Sequence, residues 1–305
     1  MEKINAHIYG NTYALTQTIP LNIYMVKGDD EAVFIDSGVK YLRHSLMDML
    51  TDTNSRLIAI LNTHSHHDHI GCNASLKEAT ACQIIAPKAC AHWHNDWEAH
   101  YQEFARPFPT IFPDSEALRD EVFGLLDAPH QVDRICEEGE IWQLGGGVEL
   151  ECFKFSGHML EEVGWLEKKT KTLILGDVVT LLDVPFIHGH VDVAGYRESL
   201  TKLKKMADQD MFTKVLMAHF PPMDKANFYR LIDRAQEYVN KLEQTILKVV
   251  QSGTTELEKI WLQTIETLDK QEEFRSLSTV YAHLKDLEKR GLISFLPNHE
   301  ISYHV

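Results

Sequence analysis

Apolar positions change texture twice along this chain. Its first part carries short apolar runs that stop abruptly at polar residues or glycine, the signature of buried strands meeting loops. Ala6-His7-Ile8-Tyr9, Leu21-Asn22-Ile23-Tyr24-Met25-Val26 and Ala32-Val33-Phe34-Ile35-Asp36 predict the opening strands. Lys27-Gly28-Asp29-Asp30-Glu31 reads as a polar hairpin turn between the last two. Spacing then turns helical from Tyr41 to Leu50, with Leu42, Leu46, Met49 and Leu50 on one face. The unbroken run Leu57-Ile58-Ala59-Ile60-Leu61 predicts a buried strand ended by Asn62, followed by a helix from Ala74 to Thr80 and a strand at Cys82-Gln83-Ile84-Ile85-Ala86. Further strands are predicted from Val148 to Phe155, Thr172 to Leu175 and Lys214 to Ala218, and Tyr196 to Leu200 opens another helix.

Beyond Pro222 the pattern is helical. Asn227 to Gln251 is one amphipathic stretch, with Phe228, Leu231, Ile232, Ala235, Val239, Leu242, Ile246, Val249 and Val250 among its apolar positions. Ser252-Gly253-Thr254-Thr255 ends it and caps a second helix, Glu256 to Asp269. A third is expected from Ser278 to Arg290, stopped by Gly291. Leu292 to Leu296, a Pro297-Asn298 turn and Ile301 to Val305 read as a hairpin. The predicted domains are therefore 1–222 and 223–305, and three helices with a two-stranded wing make the second resemble a winged-helix domain.

Residues 92–133 are the least regular part of the first domain. His92, Trp93, His94, Trp97, His100, Tyr101, Phe104, Phe108 and Phe112 are interspersed with Pro107, Pro109 and Pro113, which break any single long helix. Such an insertion suits a lid or a pocket wall, with His92, His94 and His100 as pocket candidates. A helical pair packing its own aromatics fits equally.

Composition narrows the class. At 305 residues and 44% apolar content the chain has the make-up of an ordinary globular protein. No stretch reaches the roughly 18 to 20 apolar residues of a membrane span. The start, Met1-Glu2-Lys3-Ile4-Asn5, lacks the basic region and apolar core of a secretory signal. Cys72, Cys82, Cys90, Cys136 and Cys152 are odd in number and lack close pairing, so reduced, buried thiols in a cytoplasm are expected. A formal charge of −15 opposes binding to nucleic-acid phosphates.

The chemistry is concentrated where the run Leu57 to Leu61 ends, in Thr63-His64-Ser65-His66-His67-Asp68-His69. Imidazole and carboxylate are preferred ligands of zinc and similar divalent ions. A purification tag would be terminal and homopolymeric; this stretch is neither. In a loop leaving a strand, positions 64 and 66 can point the same way, while 68 and 69 begin a turn that reaches a neighbouring ion, an arrangement suited to two metals. Ligand-type residues then recur after later strand patterns: His158 after Ser156-Gly157, Asp177 after Gly176, and His219 after Ala218.

Together, His64-x-His66-x-Asp68-His69, His158, Asp177 and His219 make the chain resemble the metallo-β-lactamase superfamily over roughly residues 3 to 222. The resemblance implies an α/β fold, a four-layer αβ/βα sandwich, with a dinuclear site on one edge. His64, His66 and His158 would hold the first metal and Asp68, His69 and His219 the second, with Asp177 bridging. His67 falls at a variable position outside the ligand set, and Asp36 corresponds to an early Asp that supports the site without binding metal. His69 points to the glyoxalase II, lactonase and phosphodiesterase branches, whereas His66 speaks against a flavodiiron protein. Ala218 and Phe220 depart from the Gly-rich turn of many relatives. His188 and His190 are expected to line the pocket.

Two divalent ions, zinc by default with iron or manganese compatible, would lower the pKa of a bridging water and polarise the substrate oxygen. Asp68 or Asp177 would orient the resulting hydroxide and move a proton toward the leaving group. The expected function is hydrolysis of an ester, thioester or lactone of a small-molecule acyl substrate. A phosphodiesterase or RNA endonuclease is the alternative. A catalytically silent DNA-binding protein is a third reading, against which the intact ligand set argues. In the C-terminal domain Lys285, Lys289 and Arg290 are offset by Asp286 and Glu288, which favours packing or dimerisation over nucleic-acid contact. The long helix and terminal module are compatible with a homodimer.

Overall fold

A computed structural model of the chain describes residues 1–17, 19–296 and 301–303. One sheet joins β1 (Glu2–Lys3), β2 (Ile8–Ala14), β3 (Pro20–Lys27), β4 (Glu31–Ile35), β5 (Arg56–Leu61), β6 (Gln83–Ala86) and β7 (Arg134–Ile135), in that order. The other runs β13-β12-β11-β10-β9-β8, made of β8 (Ile141–Gln143), β9 (Glu149–Phe155), β10 (Glu162–Glu167), β11 (Thr172–Leu175), β12 (Lys214–Met217) and β13 (Phe220–Asp224). The helices are α1 (Arg43–Asp52), α2 (Asn73–Thr80), α3 (Trp97–His100), α4 (Glu116–Phe123), α5 (Val193–Asp208), α6 (Lys225–Gln251), α7 (Leu257–Thr267) and α8 (Phe274–Lys289).

Strand alternation explains the layering. Val33 and Ile35 of β4 face the same buried cluster as Leu150 and Cys152 of β9, Ile174 of β11 and Leu216 of β12, which is the seam between the sheets. Their neighbours Ala32 and Phe34 turn outward onto Leu46, Met49 and Leu50 of α1 and Leu76 of α2. On the other sheet Phe153, Phe155, Leu173, Leu175, Val215 and Met217 turn outward onto Tyr196, Leu200 and Leu203 of α5. Both faces of both sheets are thus buried, which is why the runs read as continuously apolar. The expected αβ/βα sandwich is what the chain forms.

The 27-residue α6 belongs to two cores. Phe228, Leu231, Ile232, Ala235 and Val239 complete the outer layer of the second sheet. Further along the helix, Leu242, Ile246, Val249 and Val250 pack on Ile260, Trp261 and Ile265 of α7 and on Leu277, Val280, Leu284 and Leu287 of α8. The antiparallel pair β14 (Ile293–Phe295) and β15 (Ile301–Tyr303) closes this helical region. The predicted Pro297-Asn298 turn and the last residues of the hairpin lie outside the described residues.

Several boundaries differ from the sequence expectation. β2 begins at Ile8, because Asn5 Oδ1 accepts the amides of His7 and Ile8 and holds Ala6-His7 in a turn. Phe220-Pro221-Pro222 forms the edge strand β13, where missing N–H donors cost no ladder bond. α8 starts at Phe274, with Glu273 as its N-cap accepting the Arg275 amide, a full turn before the Ser278 start expected. Among the described residues no helix is long and apolar enough to cross a membrane.

Candidate metal centre

The loops that follow β5, β9, β11 and β12 meet at one edge of the sandwich and carry His64 to His69, His158, Asp177 and His219 respectively. Ligand atoms of His64, His66 and His158 lie within 4.8 Å of one another, as do those of Asp68, His69 and His219. Asp177 joins both neighbourhoods: His158 Nε2 and His219 Nε2 are each 3.5 Å from its Oδ2, and His69 Nε2 is 3.9 Å from its Oδ1.

Outer partners set the orientation of each imidazole. The Thr63 hydroxyl donates to Asp36 Oδ2, so its oxygen accepts from His64 Nδ1 at 3.1 Å. His158 Nδ1 donates to the Gly189 carbonyl at 2.7 Å, and His219 Nδ1 to that of Pro20 at 2.8 Å. His69 Nδ1 bonds Asp36 Oδ2 at 2.9 Å. With their Nδ1 atoms committed outward, these rings turn Nε2 inward, the nitrogen that metal-ligating histidines present. Asp36 also accepts the Thr63 amide, and it is held at φ 61°, an uncommon conformation for a residue with a Cβ.

The converging nitrogens fit a cation better than they fit each other. His64 Nε2 and His158 Nε2 stand 3.1 Å and 3.0 Å from His66 Nδ1, which has one proton at most to share between them. At least one pair of lone pairs is therefore opposed. His69 Nε2 is buried and has no hydrogen-bond partner. Nitrogen and carboxylate donors of this kind suit zinc, iron or manganese.

Electrostatics divide the cluster. Burial, reinforced by neighbouring imidazoles, pushes His64 and His66 well below the ordinary histidine range and brings His158 down to about 4. Burial also disfavours charge on the other side, but there the carboxylates prevail. Asp177 and Asp68 raise His219 well above its usual value, and Asp68 and Asp36 lift His69 to about 9. Burial likewise opposes ionisation of Asp68 and Asp177, yet His69 beside the first and His219 beside the second hold both well below the carboxylate range.

The model of the metallo-beta-lactamase superfamily matches residues 18–213, more than half of the chain. The chain belongs to that superfamily. A hydroxyacylglutathione hydrolase from Polaromonas sp. is 27% identical over 154 residues, which is 48% of this chain and 45% of that protein. A ribonuclease J from Mycoplasma genitalium is 32% identical over 85 residues, 25% of this chain and 15% of that one. The chain thus spans less than half the length of either relative. Among solved structures, a metallo-beta-lactamase family protein from Thermus thermophilus has a TM-score of 0.75 at 16% identity, with 99% of this chain and 100% of that one covered. A beta-lactamase domain protein from Burkholderia ambifaria gives 0.74 at 16% identity, covering 99% and 94%. At such identities the likeness is one of fold.

Around the superfamily site the remaining histidines separate. His67 belongs to none of the metal-capable groups and packs near Phe104 and His100. His188 lines a cavity of about 270 Å³ that opens onto Asp68, Asp177 and His219. Its Nδ1 accepts the Leu181 amide at 2.8 Å, so the neutral ring carries its proton on Nε2, 3.5 Å from Asp177 Oδ2. It faces the carboxylate as a donor, and with His158 and Asp177 it also makes up a group whose ligand atoms lie close enough to hold an ion. His190 was expected in the same pocket, but it turns away: it stacks on Tyr196 and faces His283 of α8 at 3.0 Å, buried between α5 and α8. Partners explain this: the Leu181 amide holds His188 at the cavity, Tyr196 and His283 hold His190 on the other side, and the Gly189 carbonyl between them is tied to His158.

The insertion candidates also disperse. His92 pairs with Glu103 on the exposed side, and His100 is buried and stacked on Trp93 at 4.6 Å. His94 was missed as a support of the metal loop. Its Nε2 accepts from the Ser65 hydroxyl at 3.1 Å, inside the ligand motif, and its Nδ1 meets His130 Nε2 at 2.9 Å. No local pattern links positions 65, 94 and 130, so sequence reading had nothing to find.

Proposed function

We propose that the chain is a hydrolase with two divalent cations, zinc by default, that cleaves a carboxylic ester, thioester or lactone. His64, His66 and His158 would hold one ion, Asp68, His69 and His219 the other, and Asp177 would lie between them. The observation that carries this reading is the convergence of imidazole nitrogens on Asp177, with opposed nitrogens near 3 Å that a bound cation would reconcile. Such ions, when bound, polarise a carbonyl oxygen and bring water to ionise near neutral pH.

The protein's own groups supply the rest. Asp36 and the carbonyls of Pro20 and Gly189 fix the ligand rings before substrate arrives. Asp68 is the carboxylate suited to carry a proton to the leaving group, because its side chain is 12% exposed where that of Asp177 is 4%. His188 Nε2–H steadies Asp177 and offers a donor to a substrate oxygen at the cavity floor. The longer alignment, to a hydroxyacylglutathione hydrolase, supports the acyl reading.

The short alignment to ribonuclease J favours a second reading, cleavage of a phosphodiester such as RNA with the same residues. The net charge and the C-terminal region weigh against it. On α8, Lys285 pairs with Glu288, and Arg290 with Glu243 and Asp286, so these cations are already neutralised. In our reading residues 223–305 form a winged-helix-like packing module that closes the site. Turnover of a panel of thioesters, lactones, phosphodiesters and RNA by metal-loaded protein, with His64→Ala plus Asp177→Ala as control, separates the two. Acyl turnover lost in the control supports the first reading; turnover of RNA or phosphodiester alone replaces it with the second.

A further inference from the structure

A second cavity, of about 260 Å³, adjoins the metal centre on the side of His66 and His158 and is walled by two parts of the chain far apart in sequence. One wall is the insertion, with Cys90, Trp93, Glu103 and Phe104; the other is α8, with Arg275, Ser278 and Thr279. Phe104 is the hinge of this architecture. Its ring lies 4.4 Å from that of His66 and 5.2 Å from that of Phe274, so it links metal loop, insertion and C-terminal helix.

Most of the polar groups in these walls are occupied, the Ser278 hydroxyl being the exception. Glu103 accepts from Trp93 Nε1 and His92 Nε2. Arg275 pairs with Glu121 and Glu273, and its unpartnered Nε is shut off from the cavity by burial. The Thr279 hydroxyl donates to the Arg275 carbonyl and accepts the His190 amide. Burial pushes the Cys90 thiol up to about 12, leaving it neutral and weakly polar. A sugar or nucleotide would find few free partners here and would bury its own polar groups at a cost. Hydrocarbon meets no such penalty. At the mouth, Leu160 and Val191 are 64% and 43% exposed, large apolar side chains that extend the surface outward.

We propose that this cavity is the acyl subsite: it takes an apolar acyl group whose carbonyl reaches the metal centre, and α8 of the C-terminal region sets how long that group can be. The proposal rests on the acyl-hydrolase reading. An apolar cavity of about 150 Å³ accommodates benzene, so this one suits a group of about eight to ten carbon atoms. The C-terminal region then has a chemical role, as the wall that measures the substrate.

The test uses the full chain loaded with zinc and a series of acyl thioesters from acetyl to tetradecanoyl, alongside calorimetric binding of butyrate and decanoate. Each fully buried methylene strengthens binding up to about fourfold, so decanoate should bind at least about tenfold tighter than butyrate. The specificity constant should peak near eight to ten carbons. In Ser278→Phe, which fills the α8 wall, the decanoyl-to-acetyl ratio of specificity constants should fall at least about tenfold, and decanoate should lose its advantage. Leu160→Asp, at the exposed rim where folding is not at stake, should lower the same ratio by a smaller factor. Turnover with a flat chain-length profile in the wild type, or an unchanged ratio in both variants, overturns the subsite while leaving the hydrolase. Preferential decanoate binding without turnover of any acyl thioester keeps the subsite and overturns the hydrolase reading instead.

Discussion

Two groups of buried histidines share the loop His64–His69, and they are built on opposite principles. At the metal centre the Nδ1 protons of His64, His69, His158 and His219 go outward to Thr63, Asp36, Gly189 and Pro20, and the inner nitrogens of His64 and His158 meet His66 Nδ1 with at most one proton to share. Beside it, His130 Nδ1 donates to the Ala128 carbonyl, and its Nε2 accepts from Asn73 and His94. His94 Nε2 in turn accepts from Ser65. Every proton in this second chain of bonds has an acceptor, and no carboxylate takes part in it. Both groups are rich in imidazole; only the first leaves lone pairs opposed around two ionised carboxylates. Direction of lone pairs and charge balance, not the number of histidines, make a metal site.

The comparison breaks most sharply at Asp177. Asp177→Ala should remove at least one equivalent of metal and lower hydrolysis at least about a thousandfold, since the ions supply several kcal/mol of transition-state stabilisation. Elemental analysis and turnover read this directly, and a variant that keeps its metal would detach Asp177 from the centre. Asp36→Asn comes next. Its loss of charge behind His69 should cost about 10- to 100-fold in metal affinity or activity, with far-ultraviolet circular dichroism unchanged.

The asymmetry of charge within the centre gives a pH signature. His69, lifted to about 9, and His219, also raised, are protonated at pH 7 in the metal-free protein, whereas His64, His66 and His158 are not. Metal must displace those protons, so affinity should rise from pH 7 and level off above about 9. The sign for stability is the reverse. A histidine whose pKa is raised by folding stabilises the metal-free fold fully below its unfolded value of about 6.5, and that contribution is lost as pH rises through about 9. Calorimetry of zinc uptake at pH 7 in buffers of different ionisation enthalpy should show protons released; none released would contradict this division.

The smallest effect belongs to the second group. Ser65→Ala leaves His94 Nε2 buried without a donor and should destabilise the fold by about 1–3 kcal/mol. Metal content should stay the same. A chemical denaturation curve and elemental analysis check both, and a loss of metal would erase the distinction between the two groups.

Much of this was legible in the chain, for reasons that also mark the limit. Unbroken runs such as Leu57–Leu61 and Leu173–Leu175 betray strands buried on both faces, and each ligand stands where such a run stops. β10 escaped notice because Glu162 and Glu167 bracket its apolar residues, although both are buried. Glu167 is accommodated by accepting the amides of Lys169 and Thr170, a local turn that apolar counting does not register. The roles of His188 and His190 depend on which side of Gly189 each ring falls, and that is set by the Leu181 amide and by α8. α8 was expected only from Ser278; Glu273 caps it a turn earlier, and the extra turn carries Arg275 to the cavity beside His66 and His158.

The most direct test of the account is the metal stoichiometry of the purified chain after zinc-supplemented expression, measured by elemental mass spectrometry. The account predicts two ions per chain, falling by at least one in Asp177→Ala. A wild-type protein that is folded and carries no metal would contradict it.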